Sequence, residues 1–183
     1  MNEVSIKLIE LLKEASPKTE RVAVFVNQTN PGAAPFLADL TPVAPRLGIT
    51  VRPVGVNTID ELDRTLTAIA SESVNAVFLV PEAFISSQRQ RIIEFAMVRR
   101  WPVVGPARVY AEAGGLISYA PHASTLNRQA AVYVDKLLRG AKPADLPVEQ
   151  PSKFELVINM KTARTLGLTI PPSLLQRADQ VIE

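Results

Sequence analysis

Polar side chains able to hold a small molecule gather in three short stretches, each following an apolar run. The first, Asn27-Gln28-Thr29-Asn30-Pro31-Gly32-Ala33, offers amides, a hydroxyl and backbone N–H groups at a helix start. That set suits a carboxylate or another polar head group. Asn and Thr serve equally well as turn and cap residues in such a place. The second stretch is Pro81-Glu82-Ala83-Phe84-Ile85. Glu82 can accept from an amine or hydroxyl and Phe84 can wall an apolar group. Alternatively, Glu82 complements a helix dipole and Phe84 belongs to the core. The third, Gly105-Pro106-Ala107-Arg108-Val109-Tyr110, carries a guanidinium. Arg108 can meet an anion or pair with Glu112 four residues on. Tyr119 either touches ligand or packs at a hinge, and Gly114 and Gly115 permit a tight backbone before it.

Covalent chemistry finds no support among these residues. The chain has one histidine, His122, lodged between Pro121 and Ala123, and no cysteine. Thiolate catalysis, disulfides and cysteine metal sites are therefore excluded, and no second histidine completes a metal set. No GxSxG, GxxxxGK[ST] or GxGxxG is present. Asp60, Glu61 and Asp63 cluster at one helix start, where acids are expected for dipole reasons. A hydrolase or kinase does not fit. Reversible binding without cofactor or metal does.

The three stretches are positioned by a repeating rhythm of strands and helices. Val22 to Val26 is a continuous apolar run of the kind buried on both faces. Further strands are expected at Ile49–Val54, Ala76–Val80, Pro102–Val104 and Leu116–Ser118. A helix should run from Pro31 to about Leu47, disturbed by Pro42 and Pro45 and stopped by Gly48. Thr58 and Glu61 form a capping box, with Ile59, Leu62, Leu66 and Ile69 facing inward behind it. One helix is expected over Ile85–Arg99. This alternation implies right-handed parallel βαβ units, hence an α/β, Rossmann-like doubly wound parallel sheet over about residues 18 to 118. Ligands of such sheets bind beyond the carboxyl ends of the strands, where the three stretches lie.

Composition agrees with an ordinary globular chain. Of 183 residues, 47% are hydrophobic and 21% charged, and the net charge of +2 leaves 20 basic against 18 acidic residues. That balance does not suggest nucleic-acid binding. Arg89, Arg91, Arg99 and Arg100 alternate with apolar residues, as on the solvated face of a helix. At the N-terminus Glu3, Lys7, Glu10, Lys13 and Glu14 interrupt any apolar run, so no signal peptide is read there. Ile6, Leu8, Ile9, Leu11 and Leu12 instead form the stripe of an amphipathic helix ending near Pro17.

After Gly114 the pattern changes. A strand at Leu116–Tyr119 is followed by a helix whose Leu126, Ala130, Tyr133, Val134, Leu137 and Leu138 form one apolar face. Ser124 or Thr125 can cap its first turn, Gly140 stops it, and Pro143, Pro147 and Pro151 delay regular structure until a strand at Phe154–Ile158. GGLISYAP, with the segment AAVYVDKLLRGAKPADLPVEQPSKFELVINMKTARTLGLTIPPSLLQRADQVIE, resembles the C-terminal end of ABC-transporter substrate-binding proteins. Better-known members of that family bind aromatic amino acids and related small solutes.

The resemblance implies a type I periplasmic-binding-protein lobe. Residues 18–118 would be a complete lobe, the family's second, with residues 1–17 and 119–183 belonging to the incomplete first lobe, a partial second lobe in this chain, so that the chain is a truncated form similar only to the C-terminal portion of the family. It implies solute capture between lobes, an ABC permease as partner, and a periplasmic or cell-surface location for a full-length precursor. A chain starting at Met1 would be cytoplasmic. The other reading is a fragment serving as an oligomerising or regulatory scaffold, with a homodimer formed through the incomplete lobe. Relatives that bind aromatic amino acids commonly carry an acid and an Asn-Ser pair in the first stretch. Asn30, Gly32 and Ala33 stand there instead, leaving backbone donors as the expected contribution.

Overall fold

The computed structural model describes residues 2–183. The apolar runs become β1 (Arg21–Val26), β2 (Thr50–Gly55), β3 (Ala76–Leu79), β4 (Val103–Gly105) and β5 (Ile117–Pro121). Later in the chain come β6 (Phe154–Asn159) and β7 (Gln180–Ile182). All seven strands share one sheet, in the order β2-β1-β3-β4-β5-β6-β7. Neighbours are parallel except β5 and β6, which run antiparallel with Pro121 opposite Phe154 and Ile117 opposite Ile158.

This sheet corrects the expected fold class. A purely parallel lobe accompanied by a partial second lobe is replaced by a single mixed sheet. The reason lies in the edge of β5, whose free backbone groups need a partner. The chain leaves that edge at Pro121 and returns to it at Phe154, so the incoming strand can only run the opposite way. Leu156, Val157 and Ile158 are buried there, inside the same core as Ile117.

Helices cover the sheet. α1 (Asn2–Ala15) packs across β5 and buries Leu8, Ile9, Leu11 and Leu12. α2 (Ala33–Leu40) ends earlier than the periodicity suggests. Past Pro42 the chain makes only a 3-10 turn, Ala44–Leu47, and Gly48 closes it at φ 67°. α3 (Ile59–Ile69) starts on the expected cap, Thr58 Oγ1 accepting from the Glu61 N–H at 3.2 Å. Leu62, Leu66 and Ile69 are buried, but Ile59 faces out, because it occupies the first position of the helix on the turn side.

The single helix expected over 85–99 is two, α4 (Ala83–Ser87) and α5 (Arg89–Val98), broken at Gln88. α6 (Arg108–Glu112), a short helix in a stretch read as loop, buries Tyr110. Its phenol donates to the Val80 carbonyl at 2.8 Å and shares a 2.7 Å hydrogen bond with Ser86. The ring lies over Gly105, where a Cβ would sit 2.4 Å from Tyr110 Cδ2. Burial, more than the opposing bond from Ser86, pushes the phenol pKa up.

α7 (Ala123–Leu138) differs from every helix before it: none of its residues is buried. α8 (Met160–Leu166) is capped by Asn159, whose Oδ1 accepts from the Thr162 N–H while its amide donates to the Ala111 carbonyl, both at 2.9 Å. α9 (Pro172–Leu175) precedes β7. No described helix is long and apolar enough to cross a membrane.

Candidate ligand-binding site

Because β1, β3, β4 and β5 are parallel, their carboxyl ends meet along one edge, the place where open α/β sheets hold ligands. A cavity of about 760 Å³ opens there. Its floor takes Pro81 after β3, Pro106 after β4 and Pro121 at the end of β5. Its walls take Phe36 from α2, Phe154 from the start of β6, and Glu3, Val4 and Ser5 from the first turn of α1. Antiparallel pairing places Phe154 at this edge, since β6 begins where β5 ends. Both rings are held. Phe36 tilts on Phe78 with centroids 5.6 Å apart, and Phe154 stacks on Tyr119 at 5.4 Å with planes 15° apart.

A second, smaller cavity of about 100 Å³ shares Phe36 and Pro81 with the first. It is lined further by Asn27, Asn30, Gly32, Ala33 and Glu82, from the ends of the adjacent strands β1 and β3. Glu82 is fixed. One carboxylate oxygen accepts from Asn27 Nδ2 at 3.1 Å and the other from the Ile85 N–H at 3.0 Å, capping α4.

Of the residues singled out from sequence, Asn30, Gly32, Ala33 and Glu82 come together at this smaller cavity. Gln28 does not line it. Its side chain lies over Gly55, where a Cβ would come within 2.2 Å, and its N–H donates to Asn57 Oδ1. Thr29 turns its hydroxyl to Asn27 Oδ1 at 2.7 Å. Phe84 packs partly buried against the core. Tyr119 supports Phe154 from behind. Arg108 pairs with Glu112 at 2.7 Å and with Glu155 at 2.9 Å. The Glu112 hydrogen bond, with the nearby Glu155 charge, raises its already high pKa.

The backbone donors expected of the first stretch are occupied. Thr29 N–H donates to Asn27 Oδ1, Asn30 N–H to the Asn27 carbonyl, Gly32 N–H to Asn30 Oδ1 and Ala33 N–H to the Asn30 carbonyl. Asx turns have taken over the role assigned to a ligand.

Sequence reasoning missed Phe36, Phe154 and the first turn of α1. Phe36 carried a usable signal, an aromatic one turn into the helix that follows the polar stretch. Glu3, Val4 and Ser5 carried none, since only the packing of α1 across β5 brings them to the edge. Among the described residues, no group of three or more His, Cys, Asp or Glu is arranged to hold a metal ion.

A family model of ABC transporter substrate-binding proteins matches residues 2–182. The chain belongs to this family. The match runs over nearly the whole chain, which overturns the expectation of a likeness confined to a C-terminal portion. Membership in a family of binding proteins agrees with the reading of a non-enzyme.

Two solved structures resemble the chain closely. One is a conserved domain protein from Vibrio cholerae, 28% identical, with a TM-score of 0.88 over 97% of this chain and 60% of its own. The other is an ABC domain in complex with L-Trp from Streptococcus pneumonia, also 28% identical with a TM-score of 0.88, over 98% of this chain and 62% of its own. A ligand-free, open substrate-binding protein with adhesive properties from Clostridium difficile shares the fold at 20% identity and a TM-score of 0.73. This substrate-binding protein chain thus spans about three fifths of the length of the structures it resembles. No curated protein matches it.

Proposed function

We propose that this chain is the solute-binding component of an ABC importer, capturing a small organic molecule reversibly at the strand-end edge and passing it to a membrane permease. The observation that carries this reading is the cavity of about 760 Å³ walled by Phe36 and Phe154. Its size falls within the range typical of small-molecule sites, and its lining is mostly apolar with a few polar groups beside it. The L-Trp bound by the Streptococcus pneumonia relative favours an amino-acid-like solute of similar bulk. Such a component works outside the cytoplasm, in the periplasm or at the cell surface.

Asn30, Gly32, Ala33 and Glu82 contact the solute in this reading. Gln28, Thr29, Phe84, Arg108 and Tyr119 hold the rim in shape behind them. Binding needs no bond made or broken; its free energy comes from apolar burial and a few directed contacts.

A thermal-shift screen of amino acids and other small organic solutes tests the proposal. A true ligand stabilises the fold by an amount that grows with the logarithm of its concentration above Kd. Phe154→Ala should abolish that shift while leaving a folded protein. A screen in which no solute gives saturable stabilisation sinks the reading.

A further inference from the structure

We propose a second binding site, at the opposite end of the sheet from the solute cavity, that takes a phosphate group, free or carried by a small ester or a lipid headgroup. It does not rest on the solute-binding reading.

β1, β2 and β3 run parallel and begin side by side at Arg21, Thr50 and Ala76. Around these starts lies a cavity of about 440 Å³ lined by Lys13, Glu20, Arg21, Gly48, Thr50 and Ser73. The last turn of α1, the entries to β1 and β2 and the turn after α3 all contribute to it. Since β1 is 6 residues long, the two ends of the sheet stand roughly 20 Å apart.

The cations here have donors to spare. Arg21 and Thr50 are register partners on parallel strands, so their side chains leave the sheet on the same face. The Arg21 guanidinium makes no hydrogen bond or ion pair with any described residue. Glu72, the acid near enough to feel its charge, is already held by Arg52 through bonds of 2.9 and 3.0 Å. Lys13 reaches in from α1, its ammonium lying over Gly48, 3.9 Å from where a Cβ there would be. It donates to the Thr19 carbonyl at 2.8 Å, which leaves its remaining N–H bonds for a ligand. The hydroxyls of Thr50 and Ser73 serve no other described residue. Beside Lys13, Thr19 Oγ1 is the one buried side-chain polar atom without a hydrogen-bond partner among the described residues. Such an orphan is costly and points to a further polar group at this place.

A guanidinium, an ammonium and hydroxyls brought together from separate segments suit a tetrahedral oxyanion, which offers an oxygen to each, better than a planar carboxylate. Glu20 withdraws part of the positive charge and so weakens the hold. An adjoining cavity of about 450 Å³ shares Gly48 and Thr50 and is lined further by Thr41, Pro45, Ile49 and Val51. It gives room for the body of a phosphate ester.

Calorimetric titration of the full chain at constant ionic strength tests the site. The probes are inorganic phosphate, glycerol phosphate, acetate, and vesicles of phosphatidic acid in phosphatidylcholine. Inorganic phosphate should bind saturably and at least about fivefold more tightly than acetate. The tightest phosphate-bearing probe names the source: the free ion, a soluble ester or a lipid headgroup. Arg21 supports no other residue, so Arg21→Gln should fold normally and weaken phosphate at least about fivefold, whereas Arg21→Lys should keep most of the affinity. Thr50→Val should weaken it about threefold with no change of charge. Glu20→Gln should act in the opposite direction, tightening it about twofold or more. Phe154→Ala, which removes a wall of the solute cavity, should leave phosphate binding unchanged.

The absence of saturable phosphate binding overturns the proposal and leaves the solute reading untouched. Equal binding of acetate overturns it too, as does an affinity unmoved by both Arg21→Gln and Thr50→Val. Loss of phosphate binding in Phe154→Ala would place the anion at the solute cavity and end the case for a second site.

Discussion

α1 and α7 are both amphipathic in sequence, yet they end in opposite environments. In α1 the apolar stripe is covered from Leu8 onward, with Leu8 and Leu12 at 0% exposure. In α7 a stripe of the same kind leaves Leu137 at 40%, Val134 at 54% and Leu138 at 83% exposure. Periodicity reports that a helix has a face suited to burial; it does not report what covers it. α1 lies across β5 and so finds a ready surface. α7 leaves the sheet at Pro121 and touches it again only after the proline-rich crossing, so its apolar face stays in water.

Truncation at matched positions is the most forceful test of that contrast. Leu12→Ala should cost about 2–5 kcal/mol, because a void opens in a close-packed core. Leu137→Ala should change stability by no more than about 0.5 kcal/mol, as at an ordinary exposed site. Urea unfolding of the two variants measures both values. Equal losses would show that α7 is covered in solution, and the contrast would fail.

The same contrast explains what could be read in advance. Strand positions were legible because Val22–Val26 and Ala76–Leu79 are continuous apolar runs that only a sheet buried on both faces can absorb. The cap at Thr58 was legible because the spacing to Glu61 is a local rule. The place of β6 was not, since nothing in FELVIN states which edge it joins or in which direction. The site divides the same way. Loop residues at strand ends, such as Asn30 and Glu82, follow from topology, whereas Phe154 reaches the cavity through antiparallel pairing. The break at Gln88 had no punctuation by Gly or Pro to announce it.

Two tyrosines restate the comparison in polar terms. Tyr110 is fully buried and its hydroxyl serves the Val80 carbonyl and Ser86. Tyr133 of α7 donates to the Pro147 carbonyl at 2.6 Å on the surface. Tyr110→Phe should cost about 1–3 kcal/mol, since buried polar partners lose their bond without gaining water. Tyr133→Phe should cost less than about 0.5 kcal/mol, because water replaces the lost contact. Denaturation midpoints separate the two, and a larger loss at Tyr133 would reverse the ranking of the regions.

Helix starts give a smaller effect. Thr58 caps α3 through its side chain, whereas His122 at the start of α7 makes no such bond to the helix backbone. Thr58→Ala should therefore lower stability by about 1 kcal/mol. His122→Ala should leave the unfolding curve within about 0.5 kcal/mol of the parent. A cost at His122 matching that at Thr58 would mean that α7 depends on local capping as much as the packed helices do.

The smallest effect is a pH dependence, and it separates a charge pair that ties distant elements from one internal to a helix. Asp135 in the last turn of α7 and Arg139 at its C-terminal cap stand four residues apart, so their pairing constrains no tertiary contact. Arg52 on β2 meets Glu72 beyond α3, with two guanidinium–carboxylate bonds of 2.9 and 3.0 Å. The hydrogen bond from Arg52, reinforced by its charge, lowers the Glu72 pKa. A carboxyl whose folded pKa lies below its unfolded one stabilises the fold above the unfolded value, and that stabilisation disappears as pH falls through the folded pKa. Stability measured by urea unfolding across the acid range should therefore decline less steeply in Glu72→Gln than in the parent. The difference should shrink in high salt, because the pair is exposed enough to be screened. Superposable acid limbs would show that Arg52 and Glu72 meet without linking β2 to the turn after α3.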